Sequence, residues 1–449
     1  MKVRTSSASG LVLSSRAAPS TSICWQCLRN DLSNQIQLQS RKYHPSRRKD
    51  APPFGAAVSA AQTIFKGLPK APPGISVDPL RIVGKELKFL TKNIRQLLGS
   101  GHPTLDKVAK YYTRSEGKHM RPMLVLLMSQ AIALAPRLSA GSANAPSVDD
   151  SITSSDVLSD MNPDTNPLVA RSAEAKYDFE GDENILPSQR RLAEITELIH
   201  TASLLHDDVI DSAVTRRGAN SANTQFGNKM AVLAGDFLLG RASVALARLR
   251  DPEVTELMGT VIANLVEGEF MQLKNTAEDE KNPVFTDETI SYYLQKTYLK
   301  TASLISKSCR STAVLSQSAP EVIEAAYYYG RNLGLAFQLV DDMLDYTVTE
   351  VELGKPAGAD LELGLATAPL LFAWKQNPEL GPLVGRKFSQ EGDVQRAREI
   401  VHKSDGVEQT RALAREYANN AIAAISDFPD SAAKSGLIEM CEKTMKRRK

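Results

Sequence analysis

Apolar positions recur every three to four residues along most of the chain. The first clear stripe, Leu80, Ile82, Val83, Leu87 and Leu90, predicts a helix over 80–98. The same spacing predicts helices over 104–113, 119–136, 190–212, 231–249, 252–275, 286–317, 319–347, 364–376, 386–403, 407–426 and 430–446. Runs rich in Ala and Leu are long, β-branched alternation is scarce, and no strand–helix–strand rhythm appears, so the expected fold is all-α. The longest nearly apolar stretch, Met123 to Pro136, is broken by Ser129 and Gln130 and falls short of the roughly 18–20 residues a bilayer span needs. No transmembrane helix is expected.

Two segments lack the stripe. Residues 1–49 are rich in Ser and Arg, with small apolar patches such as Leu11, Val12 and Leu13 and no long apolar run of the secretory kind, which fits a mitochondrial presequence. Arg41, Lys42 and Tyr43 are candidates for the processing point. A Pro-containing linker over 50–74 leads to the folded domain, expected at 75–449. Inside that domain, 137–189 crowds Ser, Asn, Asp and Pro, with ten acids between Asp149 and Glu183, and reads as a disordered acidic insertion.

Composition narrows the class. The 449 residues are 42% hydrophobic and 24% charged, which supplies a large core and excludes a low-complexity chain. The net charge of +2 conceals nine Lys/Arg against one acid, Asp31, in residues 1–49; that +8 leaves −6 for the remainder. Nucleic acid is therefore not an expected partner of the folded body. Four cysteines are too few for a disulfide scaffold, and the Cys24/Cys27 pair has no second pair to complete a metal or redox site.

The chemistry sits in two acidic clusters. Leu205-His206-Asp207-Asp208-Val209-Ile210-Asp211 lies inside an apolar helix, with Asp207/Asp211 spaced i,i+4 and Asp208/Asp211 i,i+3, so all three carboxylates are expected on one face. Asp341-Asp342-Met343-Leu344-Asp345 repeats the pattern in another apolar helix, after Phe337, Gln338, Leu339 and Val340. Two unit charges about 4 Å apart repel by roughly 4 kcal/mol at an effective dielectric of about 20, so these clusters call for a cation. Hard oxygen ligands without His or Cys favour Mg²⁺, which binds through a few carboxylates plus substrate phosphates; His206 is read as a packing residue. The natural ligand is a diphosphate between the clusters. Basic residues near these motifs or at helix starts suit anions: Lys118, His119 and Arg121 in Gly117–Pro122, then Arg216 and Arg217, Lys300-Thr301, and Lys355. The basic end, Lys446-Arg447-Arg448-Lys449, is either a solvated tail or a contact to phosphate or lipid.

With these motifs in place, the chain resembles the trans-isoprenyl (polyprenyl) diphosphate synthases, most of all the long-chain mitochondrial enzymes of ubiquinone side-chain synthesis. The matching stretches are Gly117–Pro122, His200–Asp211, Arg216–Gly218, Gly235–Leu238, Glu267–Glu269 with Gln272, Lys300-Thr301, Phe337–Asp345 and Gly354–Pro356. The resemblance implies an isoprenoid-synthase-type helical bundle around a deep apolar cavity. It implies that Asp207, Asp208, Asp211, Asp341, Asp342 and Asp345 bind Mg²⁺, three ions per site with substrate bound, and that Asp207, Asp208, Asp211, Asp341 and Lys300 are catalytic. Allylic diphosphate would be held by Arg216, Lys300, Thr301, Gln338 and Lys355, and isopentenyl diphosphate by Lys118, Arg121, His200 and Arg217. Glu116 and His119 depart from the Gly and Arg common in the family. Ala202 and Ser203, five and four residues before Asp207, are small where bulky aromatics stop the product short, which implies a long product. A homodimer, with a heteromer as the variant, completes the implied picture.

A terpene cyclase shares the fold but has no need of a second basic pocket such as Gly117–Pro122. A non-catalytic partner subunit would have lost acidic motifs, and both are complete here. A His-Asp metal hydrolase requires more His ligands than the six His of this chain are placed to supply. The expectation is therefore a Mg²⁺-dependent, mitochondrial, long-chain prenyltransferase, peripheral to the inner membrane because its product is a membrane lipid precursor.

Overall fold

A computed structural model describes residues 78–112, 119–137, 148, 152, 181–216, 218–273, 283–347 and 358–447. The compact unit to which they belong begins at Ile75. The presequence and linker expectations, most of the 137–189 insertion, and Lys118, Arg217 and Lys355 lie outside the described residues.

The helices are α1 (Pro79–Ile82), α2 (Gly84–Leu97), α3 (Pro103–Ala109), α4 (Met120–Ile132) and α5 (Pro187–Ile210), then α6 (Ala222–Phe226), α7 (Asn228–Arg248), α8 (Pro252–Leu273) and α9 (Asp287–Thr297). A π-helical turn, Tyr298–Ala302, joins α9 to α10 (Ser303–Leu315), and α11 (Pro320–Thr347) follows. The remainder is α12 (Ala359–Glu362), α13 (Ala368–Gln376), α14 (Leu380–Gly385), α15 (Asp393–Lys403), α16 (Gly406–Ala424) and α17 (Ala432–Met445). The strands described are β1 (Thr215–Arg216) and β2 (Ala219–Asn220), a small antiparallel hairpin. Side-chain caps start several helices: Asp78 accepts from the Leu80 amide before Pro79, and Ser431 accepts from the Lys434 amide.

Helix α11 is the axis of the bundle. Its first half contributes Ala326, Tyr329, Leu333 and Ala336 to a large core shared with α4, α5, α7 and α10. Its second half contributes Leu339, Val340, Met343 and Leu344 to a second cluster with α13, α15 and α16. The second acidic motif therefore sits on a helix anchored in both cores. Gly334 lets α11 approach the π turn: a Cβ there would lie 2.7 Å from the Ala302 Cα.

Several boundaries differ from the periodicity. The first predicted helix is interrupted at Val83, and 286–317 contains the π turn, which inserts a residue so that the buried positions step by five, from Thr297 to Ala302. The predicted 386–403 helix begins only at Asp393, as α15, because 386–392 is a turn in which Lys387 and Phe388 take φ of 54°; α14 lies before it, in a stretch where the periodicity predicts no helix. The gap between 212 and 231 holds the hairpin and α6. Helix α7 is long and apolar enough to cross a bilayer, although Gly, Ser and Asp236 break its apolar run. Its inner face, including Ala231, Ala234, Leu238 and Ala242, is packed in the core.

Gly235 on α7 faces the His206 ring so closely that a Cβ would sit 2.2 Å from Nε2, while His206 Nε2 lies 3.2 Å from the Val232 carbonyl oxygen. The packing role read for His206 matches this placement. We expect Gly235→Ala to cost about 1–3 kcal/mol by overpacking, measured by denaturant unfolding. In a His206→Ala background the same change should cost at least about 1 kcal/mol less; equal costs in both backgrounds would separate the glycine from the histidine.

Candidate active site

Both acidic motifs end their helices, Asp207–Asp211 closing α5 and Asp341–Asp345 lying in the last turns of α11. The partial negative charge of each helix C-terminus adds to the carboxylates instead of opposing them. Lys300 on the π turn answers the first motif. Its Nζ lies 2.7 Å from Glu269 Oε1 and donates to Gln272 Oε1 at 3.0 Å, both on α8. Asp207 is nevertheless pushed up to about 7, by burial and by the nearby Glu269, with Lys300 only partly offsetting them. Asp211 is raised for the same reasons.

The three aspartates of the first motif do not share one face. Asp208 is fully buried; Arg216 Nε and Nη2 approach its Oδ1 at 2.7 and 2.6 Å, and Tyr112 donates to its Oδ2. The Tyr112 hydroxyl in turn accepts from the Ala222 amide at 2.8 Å. A residue at i+1 is rotated by about 100° on a helix, which carries Asp208 away from Asp207 and Asp211. The second motif divides in the same way. Asp342, 3% exposed, accepts from the Tyr293 hydroxyl at 2.5 Å and from Gln338 Nε2 at 2.8 Å. Asp345, 2% exposed, accepts from the Asp360 amide at 3.3 Å. Asp341 is the exposed member, with its side chain 33% accessible and paired with Arg447.

Of the six carboxylates expected to bind metal, Asp207, Asp211 and Asp341 are only partly buried and make none of these inward hydrogen bonds. Asp208, Asp342 and Asp345 hold the wall of the site. Among the described residues no three His, Cys, Asp or Glu side chains converge as a ready-made metal centre. That arrangement fits Mg²⁺, which takes one or two carboxylates and completes its shell with water and phosphate oxygens. The donor chemistry and the uncompensated charge at Asp207 both suit it.

Other expected residues fall into two groups. Thr301 donates to Gln338 Oε1 at 2.9 Å, so the two form one relay ending on Asp342. Arg121, in the first turn of α4, lies 2.8 Å from His200 Nε2 on α5, and the left-handed His119 (φ 40°) pairs with Glu197 at 3.1 Å. Ala202 is fully buried, and Ser203 donates to the His200 carbonyl at 2.9 Å.

Lys296, Tyr293, Tyr112 and Asp360 were not singled out by the sequence. Lys296 stands one turn before Lys300, with its ammonium 5.5 Å from the Tyr293 ring centroid and acted on by Asp342, Asp360 and Glu269; burial and Lys300 lower its pKa. Its signal was present: Lys296-Thr297 repeats Lys300-Thr301 four residues earlier. The tyrosines follow no spacing rule, since they reach the aspartates from distant segments. Arg447 is resolved as a contact inside the site, its guanidinium 4.6 Å above the Phe337 ring centroid; Arg448 and Lys449 lie outside the described residues.

A helical bundle with two carboxylate motifs answered by lysines from a helix and the π turn that follows it is the architecture of an isoprenyl diphosphate enzyme. The polyprenyl synthetase family model matches residues 166–401, and the chain belongs to that family, which works on isoprenyl diphosphates with Mg²⁺. A mitochondrial "Probable hexaprenyl pyrophosphate synthase" of Neurospora crassa is 64% identical over 93% of each chain. The mitochondrial hexaprenyl pyrophosphate synthase of Saccharomyces cerevisiae is 44% identical, covering 88% of this chain and 95% of its own. The crystal structure of a Caulobacter crescentus polyprenyl synthase complexed with calcium and isoprenyl diphosphate superposes with a TM-score of 0.65 at 28% identity, covering 84% of this chain and all of its own.

Lys296 gives a test in which two quantities move in opposite directions. Removing its charge makes the carboxylate cage more negative and takes a cation from the diphosphate. Lys296→Met should therefore lower the Mg²⁺ concentration for half-maximal rate while raising the allylic diphosphate KM by about tenfold, the order expected for a lost charged contact. If both quantities rise together in well-folded protein, this role for Lys296 is wrong.

Proposed function

We propose that the chain condenses isopentenyl diphosphate units head to tail onto an allylic diphosphate, giving a long-chain all-trans polyprenyl diphosphate for the ubiquinone side chain. The observation that carries this reading is the pair of aspartate motifs at the C-terminal ends of α5 and α11, with Lys300 acting on Asp207 and Lys296 on Asp342, and the small Ala202 and Ser203 about one turn before the first motif.

Asp207, Asp211 and Asp341 would hold Mg²⁺, three ions with substrate bound, which would supply charge neutralisation for the departing diphosphate. Lys300, Thr301, Gln338, Arg216 and Lys355 hold the allylic diphosphate, with Lys296 added to that group. Lys118, Arg121, His200 and Arg217 hold isopentenyl diphosphate. Fixed cations placed where negative charge develops favour ionisation of the allylic C–O bond without reorganisation. The isopentenyl double bond attacks the resulting cation, the new C–C bond forms, and the released diphosphate takes the final proton. Leu198, Ile199 and Leu205 on α5, buried in the core just before the first motif, make that part of the bundle apolar, which disfavours water near the cation.

The reading extends to cell location and assembly. The basic, acid-poor segment 1–49 serves as a mitochondrial presequence before the 50–74 linker and the 75–449 synthase domain, and both fungal relatives named above are mitochondrial. The working unit is a homodimer, closed through the outer faces of α7 and α8. There Leu233 (59% exposed), Val266 (52%), Phe270 (66%) and Leu273 (56%) form apolar stripes, and Gly240 and Gly259 leave open space for close helix approach. Phe270→Asp is expected to convert a dimer of 48.9 kDa chains to monomer in light scattering; an unchanged mass would move the interface elsewhere.

Incubation with Mg²⁺, labelled isopentenyl diphosphate and farnesyl or geranylgeranyl diphosphate should give a ladder ending at a long polyprenol after dephosphorylation. Asp207→Ala should reduce turnover by about a hundred- to a thousandfold, and Ala202→Phe should shorten the product without abolishing turnover. Absence of elongation by folded wild-type protein would favour a partner-subunit role, and an unchanged product in Ala202→Phe would remove that position from chain-length control.

A further inference from the structure

Helices α1 and α2 present an outer face of one sign. Among the described residues of 79–98, the exposed ones are Leu80, Arg81, Lys85, Lys88, Lys92 and Arg95. Lys85, Lys88, Lys92 and Arg95 follow a three–four–three spacing, which aligns them along one side of α2 over roughly 15 Å, and Arg81 precedes them on α1. No carboxylate of these helices shares that side. Glu86 is buried and accepts from Arg190 at 2.8 Å, while the capping Asp78 is 2.9 Å from Lys443. A face that is merely solvated mixes both signs, and this chain has both to draw on, with 54 cationic and 52 anionic side chains.

We propose that this stripe is a docking surface for an anionic lipid bilayer. Five Lys and Arg in a row is the size of polybasic cluster that binds acidic leaflets, and exposed Leu80, at 49%, lies at its start. The position within the fold favours lipid over an acidic protein. Helix α2 is tied to α5 by Asn93, which donates to Glu194 at 2.9 Å, and by the Glu86–Arg190 pair. These contacts lie 13 and 17 residues before Asp207, about 20–25 Å along α5 from the diphosphate end. Under the function proposed above, on which this step rests, the growing apolar chain runs past Ala202 toward that same half of α5. Docking through the stripe sets the hydrocarbon end of the cavity beside the bilayer, so that a chain insoluble in water passes from one apolar medium to another.

The test is flotation of the full chain with phosphatidylcholine vesicles, with and without cardiolipin, for wild type, for Lys85→Glu/Lys88→Glu/Arg95→Glu, and for a control of equal charge change, Lys375→Glu/Lys403→Glu/Arg415→Glu. Wild type should float with cardiolipin and not without it. The stripe variant should lose roughly a hundredfold in partitioning, at roughly fivefold per cation, and the control should lose at most a few-fold. Equal losses in both variants would show a net-charge effect and overturn the assignment. Undiminished flotation of the stripe variant would overturn it in favour of the basic 1–49 segment. Failure of wild type to float would overturn it and leave the stripe to an acidic protein. The elongation ladder, run in detergent on the same preparations, is expected to be unchanged in both variants. A missing ladder in wild type would count against the synthase reading, independently of flotation.

Discussion

The fold is organised around an electrostatic difficulty. Two long helices, α5 and α11, run through an apolar bundle and end with carboxylates at their own negative poles. Each term alone is unfavourable, and a low-dielectric surround amplifies both. The nearby cations come from elements whose backbones are brought in closely: Lys300 and Lys296 on either side of the start of a π turn pressed against Gly334, and Arg216 from the hairpin after α5. They do not complete the neutralisation, since Asp207 still stands at about 7. A site in that condition favours a divalent ion and a substrate that brings its own oxygen ligands, because together they supply charge and coordination that the chain withholds.

Much of this was legible in the sequence, and the limits have physical causes. Helical periodicity reports burial, so it located most of the helices whose apolar face meets the core. It is blind where backbone geometry changes without changing which face is buried. The break at Val83 keeps the stripe continuous, the π turn lengthens only one step of it, from Thr297 to Ala302, and the turn at Lys387 and Phe388 depends on left-handed backbone that no pattern announces. The apolar outer face of α7 was overlooked for the opposite reason, because its small and polar residues interrupt any unbroken run.

The two acidic motifs were legible as chemistry but not as geometry. Six aspartates in a repeated pattern read as six equivalent ligands. A helix separates neighbours by about 100°, so a pair of adjacent aspartates divides between the cleft and the wall. Which member is buried depends on partners remote in sequence: Tyr112 and Arg216 for Asp208, Tyr293 and Gln338 for Asp342. Isolated tyrosines carry no sequence signal for such a role. Their hydroxyls let a carboxylate be buried with its hydrogen bonds made, and burying it without them would be far more costly.

The same accounting applies to the serines and threonines buried between α5 and α10. Helices α5 and α10 meet through Thr196 and Ser308, 3.0 Å apart, with Ser306 and Thr312 close by on α10. Each hydroxyl can donate within the protein: Thr196 to the Leu192 carbonyl, Ser306 to that of Ser303, and Thr312 to that of Ser308. Ser203, nearest the acidic motif, does the same with His200. Buried water is retained where polar groups lack partners. Satisfied small hydroxyls give such water little reason to stay, and they occupy less volume than the Leu or Phe that would otherwise fill the interface. Small size and internal hydrogen bonding together let α5 and α10 bury these polar side chains against each other at little cost.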